Sequence, residues 1–428
     1  MRTIALLALS VPIVAAQTAP RTLTLREALD QTAKQSPEIQ LARLRVLEAQ
    51  ANTGVVKSAY QPQLNAVTTG TYQTINLQNI GLIFPGFGDR VGPFRTFNAR
   101  PVLTQTVLDL SLLSKIKASR ERERGLNFDA ETTRDAALVA VLQLYLQVQQ
   151  AESRIKAAEA RVETAQAVLR QALDFEQAGT ANKLDVARAE QQFHVEQAAV
   201  TQARRDRDVL QTAMLRTIGL PPEEPVQLEA PVLEVRPTAE DAVKIALAQR
   251  PELRSIDSRL RVASLDKESA ERDRLPKLAF TGDYGVAGVG PERSLSTYSV
   301  GATLTIPLWT GRRIESEIAA AKYRVEQAKS ERRGQELRVA EEVRQSQIEM
   351  AAAIETLRSA GLATKAAREA LELARLRFGA GISTNIDTTQ AQGILAQAED
   401  FEIRSRYDYF VARARLARAM GNVYGFFE

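Results

Sequence analysis

Residues 141–172 read VLQLYLQVQQAESRIKAAEARVETAQAVLRQA. In this stretch Val141, Val148, Ile155, Val162 and Leu169 recur every seven residues, and Leu144, Ala151, Ala158, Ala165 and Ala172 recur three places on. A heptad ladder makes a seam for a neighbouring helix, and a small residue on its second rung lets the two backbones come close. Shifted by 202 residues the ladder returns as Val343, Met350, Leu357, Thr364 and Leu371, beside Ser346, Ala353, Ala360, Ala367 and Ala374. The two ladders sit in unbroken helical patterns over 111–176 and 312–378, each on the order of 100 Å long at 1.5 Å per residue. Each pattern stops at a glycine, Gly179 or Gly381, and a return helix follows, over 183–218 and 384–421. A duplicated, close-packed helix pair of this length suits a wall or a tube better than a pocket.

Working outward, the duplication extends upstream of the ladders. Residues 24–59 read as two helices broken at Pro37, with Ser36 as a natural cap; residues 239–274 repeat this around Pro251. At an offset of 214, Ala28 matches Ala242, Pro37-Glu38-Ile39 matches Pro251-Glu252-Leu253, and Gln61-Pro62-Gln63-Leu64 matches Leu275-Pro276-Lys277-Leu278. Each prolyl boundary opens onto strand-like sequence. Leu278, Phe280, Tyr284 and Val286 alternate with Lys277, Thr281, Asp283 and Gly285. After a turn over Gly288–Ser296, Tyr298, Val300, Ala302, Leu304, Ile306 and Leu308 alternate with Ser299, Gly301, Thr303 and Thr305. Apolar residues on one face and small or polar ones on the other fit a strand between lipid and an aqueous lumen, and equally a soluble hairpin with one buried face. The first hairpin, about 63–108, is less regular. Pro101 favours an irregular or edge position, and Asn79–Phe94, rich in Gly and Pro, reads as a loop. That loop holds the dozen or so residues by which the first hairpin exceeds the second. Tyr60, Tyr72, Phe84, Phe87 and Phe94 suit either an interfacial aromatic girdle or loop packing.

The bulk properties narrow the class. Residues 1–16 have the form of a secretory leader: Arg2, an apolar run from Ile4 to Val14, and small residues at the cleavage point before Gln17. The run is too short to span a bilayer. The chain has no cysteine and a single histidine, His194, in a polar helical stretch. That excludes disulfides, a lipid-modified N-terminal cysteine and a Cys/His metal site. Lys+Arg total 56 against 52 Asp+Glu, interspersed along helices, so no basic face is formed for nucleic acid. No Ser-His-Asp set, phosphate loop or acid cluster appears, and the chain reads as a non-enzyme without a cofactor.

Two strands per half give four per chain. Four strands cannot close a barrel, and an open sheet edge cannot face lipid. Strands placed in a membrane therefore imply oligomerisation, and three chains supply twelve strands.

The order of elements, the duplication, the proline at each helix-to-strand entry, the strand exit Thr305-Ile306-Pro307-Leu308-Trp309-Thr310-Gly311 and the tips Gly179…Leu184-Asp185-Val186 and Gly381…Ile386-Asp387 resemble the TolC-like outer membrane efflux proteins, the outer membrane factors. The resemblance covers essentially the whole chain after the leader. It implies a mainly α fold with membrane β: a duplicated helix–hairpin–long helix pair that forms, as a homotrimer, a 12-stranded outer-membrane β-barrel on a long periplasmic α-helical barrel. The divisions expected are a leader 1–16, a first repeat 17–220, a Pro-rich connector 221–238 and a second repeat 239–428. The resemblance further implies a passive exit duct in the outer membrane, in contact with lipid and extending into the periplasm. Its partners would be a periplasmic adaptor, around Gly179 and Gly381, and an inner-membrane pump. The family's aperture residues map onto Asp185 and Asp387, with Gln390, Phe378 and Ser383 where family members carry a second aspartate, a tyrosine and an arginine. The acidic constriction is thus reduced and that polar lock is absent. Asp185 and Asp387 also have a plainer reading as helix caps. Exit duct for type I protein secretion is the alternative on the same architecture. A soluble, coiled-coil periplasmic partner-binding protein is the alternative from another class.

Overall fold

The computed structural model describes residues 21–77, 81, 90–179, 182–229, 241–380, 382 and 385–426. The leader, Phe84 and Phe87 with most of their loop, residues 230–238 of the connector, Gly381 and Ser383 lie outside the described residues, as does the side chain of Phe378. In chain order the elements are β1 (Arg21–Leu23), α1 (Leu25–Gln35), α2 (Pro37–Ser58), β2 (Gln63–Asn76), β3 (Arg90–Leu108), α3 (Leu110–Gln177), α4 (Lys183–Ile218), β4 (Val226–Leu228), α5 (Ala242–Gln249), α6 (Pro251–Arg272), β5 (Lys277–Gly288), β6 (Ser294–Thr305), α7 (Arg313–Gly379) and α8 (Asn385–Ala419). The fold is mainly α, with helices of 68 and 67 residues carrying the two ladders. Two compact units cut across the duplication. One takes residues 1–40, 133–249 and 339–428; the other takes 41–132 and 250–338.

The first unit holds the main hydrophobic core. Leu25, Ala28 and Leu29 of α1 join Leu138, Leu142 and Tyr145 of α3, Met214 and Ile218 of α4, and Tyr409 and Leu416 of α8. Thr24 and Glu27 start α1 with a reciprocal capping box. Ser36, the cap suggested by the sequence, does not use its hydroxyl: Ser36 Oγ is buried with no hydrogen-bond partner among the described residues. The short strands β1 and β4 pair in parallel, Leu23 opposite Leu228. Tyr145 fastens this pair to α3, since its hydroxyl lies 2.9 Å from Leu23 O and 2.6 Å from Glu229 O. Burial pushes that hydroxyl well above the usual tyrosine range, so it stays a neutral donor. Gly219 closes α4 at φ 97°, where a Cβ would stand 2.5 Å from Gln35 O; only glycine fits both demands.

Along the ladders, Ala151, Ala158, Ala165, Ala172, Ala360 and Ala367 are all buried, as are Val141, Val148, Val343, Met350 and Leu371. Thr364, a polar rung, is buried with its hydroxyl satisfied at the Ala360 carbonyl and at the Ala398 carbonyl of α8, each at 3.1 Å.

The second unit carries a four-stranded antiparallel sheet in the order β2-β3-β5-β6. Two readings of the sequence need correction here. Of the two positions Pro101 suggested, edge or irregular, the edge is wrong and the irregularity is present: Pro101 lies in a central strand, β3, opposite Ala66 of β2. The β3–β5 ladder is interrupted between Ala99 and Val102, which is where a residue without an N–H can be accommodated. Residues 90–94, read as loop, are the start of β3. At the other end, β6 stops at Thr305 although the alternation runs on to Leu308; Pro307 follows two residues later and cannot donate to a ladder.

A polar clasp joins strand to helix at the base of this sheet. Asp109 Oδ1 caps α3 by accepting from Leu112 N at 3.0 Å and from Ser111 Oγ at 2.7 Å. Lys277 Nζ sits 2.8 Å from Asp273 Oδ1 and 3.3 Å from Asp109 Oδ2. Burial acts to raise both carboxyls. For Asp109 the bonds from Ser111 and Leu112 and the charge of Lys277 outweigh it, and for Asp273 the bonds from Lys277 and Ser111 and the same charge do so. Both therefore titrate below their ordinary value.

Two outcomes are expected. Tyr145→Phe withdraws the hydroxyl from the Leu23 and Glu229 carbonyls, of which Leu23 O keeps only the Glu229 N–H at 3.3 Å, and lowers stability by about 1–3 kcal/mol, read as a fall in the thermal midpoint of the purified protein. The clasp's contribution is complete above the ordinary carboxylate range and disappears as pH falls through the lowered values. Lys277→Met should remove that acid-dependent part of a thermal-midpoint-against-pH curve and leave the neutral-to-alkaline part unchanged in shape.

Candidate functional site

The sheet has two chemically distinct faces. The register places Leu278 opposite Leu304, Phe280 opposite Ala302 and Tyr284 opposite Tyr298 on one face, continued by Leu103 opposite Leu64 and Ala99 opposite Thr68. Thr281, Asp283, Thr303, Ser299, Thr104, Asn98, Asn65 and Thr69 share the other. Large residues of the apolar face stand open in the chain, Tyr298 at 77% exposure and Val300 at 68%. On the polar face Arg100 Nη1 lies 2.7 Å from Asp283 Oδ1, and Arg100 Nε lies 2.5 Å from Asn98 Oδ1. Gly285 makes room for this pair: a Cβ there would collide with Ala99 O and the Arg100 side chain. A charged group can be held in the middle of a sheet because it faces away from the apolar side.

At the far end of the long helices, Gly179 ends the first in the left-handed region at φ 76°, with its N–H on Glu176 O at 2.9 Å. Asn182, not Asp185, is the N-cap of α4; its Oδ1 accepts from Asp185 N at 3.0 Å. Asp185 is a half-buried acid in the first turn, favoured there by the helix dipole. Asp387 takes the equivalent third position of α8 and is exposed, as is Gln390. Thr388 between them is buried, with its hydroxyl unpartnered among the described residues. The sequence reading missed an apolar set around these aspartates: Leu184, Leu376, Ile382 and Ile386 are all strongly exposed, Ile382 at 71%. Their signal was present as apolar residues flanking each glycine turn, without a periodic partner.

Above the tips, a cavity of about 90 Å³ is lined by Arg161, Thr164, Gln192, Glu196, Gln392 and Glu399, among others. Arg161 Nε donates to Glu196 Oε2 at 3.0 Å, Gln192 Nε2 donates to Glu196 Oε1 at 2.8 Å, and Asp400 Oδ1 lies 4.0 Å from Arg161 Nη1. One guanidinium thus faces acids from both hairpins, α3/α4 and α7/α8. Among the described residues no group of acids and histidine is arranged to hold a metal ion.

The family model of the outer membrane efflux proteins matches residues 28–220 and 242–422, the two halves of the duplication. The chain belongs to the outer membrane efflux protein family. Among curated relatives, it is 26% identical to the outer membrane efflux protein BepC of Brucella suis over 94% of this chain and 86% of that protein. It is 24% identical to the outer membrane protein OprJ of Pseudomonas aeruginosa over 93% of this chain and 84% of that protein. A match of 26% identity to the alkaline protease secretion protein AprF of Pseudomonas aeruginosa covers 65% of this chain and only 60% of that protein. Among solved structures, the fold is shared with a membrane protein of Pseudomonas aeruginosa at TM-score 0.83 and 20% identity, over 93% of this chain and 90% of that one. The Campylobacter jejuni CmeC outer membrane channel gives TM-score 0.81 at 17% identity, over 93% and 86%. Family membership and the two-faced sheet agree: this is the outer-membrane factor fold.

Arg161→Met should leave Glu196 buried beside an apolar chain and cost about 3 kcal/mol, seen as a lowered thermal midpoint. Arg161→Met combined with Glu196→Leu should recover most of the loss.

Proposed function

We propose that this protein is an outer-membrane channel, the passive exit duct of a tripartite efflux assembly, and that it works as a homotrimer. The observation that carries the reading is the sheet: apolar on one face, polar on the other, open at both edge strands, and continuous with helices of 67 and 68 residues. Backbone groups at an edge cannot be left unpaired in hydrocarbon, so three copies closing twelve strands are the economical solution. Arg100 and Asp283 then face water in the lumen, and Tyr72, Tyr284 and Tyr298 face lipid. The long helices continue the conduit into the periplasm.

The chain carries no bond-making chemistry in this reading, and the energy for transport comes from an inner-membrane pump reached through a periplasmic adaptor. Asp185 and Asp387 with Gln390 give the periplasmic mouth a reduced acidic lining. Phe378 and Ser383 take the place of a polar lock, and the exposed Leu184, Leu376, Ile382 and Ile386 around Gly179 and Gly381 offer apolar contact to an adaptor. Protein secretion through the same duct is the second reading, favoured by the likeness to AprF, a protease secretion protein.

The test is single-channel recording of protein purified from outer membranes in a planar lipid bilayer. Discrete cation-preferring openings are expected, with Asp387→Ala and Asp185→Ala weakening cation preference and Phe378→Ala raising the resting leak. Openings indifferent to all three substitutions would remove the mouth from these residues. A protein that never inserts would leave the soluble coiled-coil reading standing.

A further inference from the structure

The polar face of the sheet is nearly without charge. Residues opposite each other across strands share a face. As far as the irregularity after Gln73, the charged side chains on this face, among the described residues, are Arg100, Asp283 and, at its base, Lys277. Lys277 is held by Asp273 and Asp109 in the clasp. Arg100 and Asp283 hold each other, and three features build that contact. They are diagonal neighbours on β3 and β5, from different halves of the duplication: Val102 stands opposite Asp283, and Arg100 lies two places on. The β3–β5 ladder is interrupted there, between Ala99 and Val102. Gly285, in register with Arg100, leaves room where a Cβ would collide with the Arg100 side chain. Nη1 reaches Asp283 Oδ1 at 2.7 Å, and only 21% and 14% of the two side chains stay exposed although the face is open. The guanidinium therefore lies along the wall and does not project from it.

We propose that the Arg100–Asp283 pair sets the charge selectivity of the outer-membrane part of the duct, by keeping its wall neutral so that cargo of either sign passes. The inference rests on the channel reading and deepens it. Around a three-fold axis the pair recurs three times at one level. A ring of arginines in a pore favours anions, and a ring of aspartates favours cations. With each guanidinium bonded to its own carboxylate the two rings coincide, and their fields cancel a short distance from the wall. The hydroxyl and amide side chains on the rest of the face offer hydrogen bonds without charge. A preference for one sign of cargo then arises in the helical part of the duct and not in the barrel.

Reversal potentials of the full chain in a planar lipid bilayer, under a potassium chloride gradient, test this. Asp283→Asn leaves three guanidiniums without a carboxylate and should shift permeability toward chloride. Arg100→Gln should shift it toward potassium. Each shift should be about twofold in the permeability ratio at 0.1 M salt and larger in dilute salt. Arg100→Gln combined with Asp283→Asn should return to the wild-type value. Ser299 stands opposite Asp283 and is exposed, so Ser299→Cys probes the same level with the pair intact, in a chain with no other cysteine. A cationic thiol reagent should move this variant toward chloride and an anionic one toward potassium, which decides the matter if the charge variants do not assemble. Conducting channels whose reversal potential is unmoved by the single substitutions and by both reagents overturn the proposal and leave the channel standing. Wild-type protein that forms no channel overturns the channel reading and this inference with it.

Discussion

Everything in this structure is arranged around a sheet that cannot be complete in one chain. β2 and β6 each present a row of backbone donors and acceptors, and the apolar face between them is bare. In water such a sheet invites aggregation; in hydrocarbon its edges would cost several kcal/mol per unpaired group. Closure by further copies removes both problems. The pairing of β3 with β5, from different halves of the duplication, shows within one chain how a neighbour would be joined.

The duplication lets one short set of elements do the work twice. Each half supplies a two-stranded hairpin and a long helix with an alanine rung. Alanine buries completely at close approach, as Ala158, Ala165 and Ala360 do, and leaves the opposite helix face free for charge. Larger rungs would fill a bundle core. Two polar residues enter the seam with a partner in place: Thr364 at the Ala398 carbonyl and Arg161 at Glu196.

Much of this is legible in sequence because it is periodic. The seven-residue ladders place the seam, the alternation over 277–305 places two strands and their faces, and the glycines place the helix ends. What stays hidden is non-periodic. Three-residue strands about two hundred residues apart, β1 and β4, carry no local pattern, and only Tyr145 bonded to both segments reveals why they matter. Pro101 marks an irregular position correctly but not an edge: a gap in one ladder suffices to hold it in a central strand. At the helix-hairpin tips, the sequence marks Asp185 and Asp387 but not that Asn182 does the capping, nor that Ile382 and Leu376 stand open. Capping depends on backbone angles, and exposure depends on which neighbours are absent.

Amide hydrogen exchange of the protein in native outer membranes tests the closed sheet most directly. If neighbouring copies complete it, the amides of β2 and β6 that point away from β3 and β5 will be as strongly protected as those between β3 and β5. Rapid exchange confined to those outward amides, with the inner ladder protected, would mean that the edges stay open and that the four strands do not belong to a closed barrel.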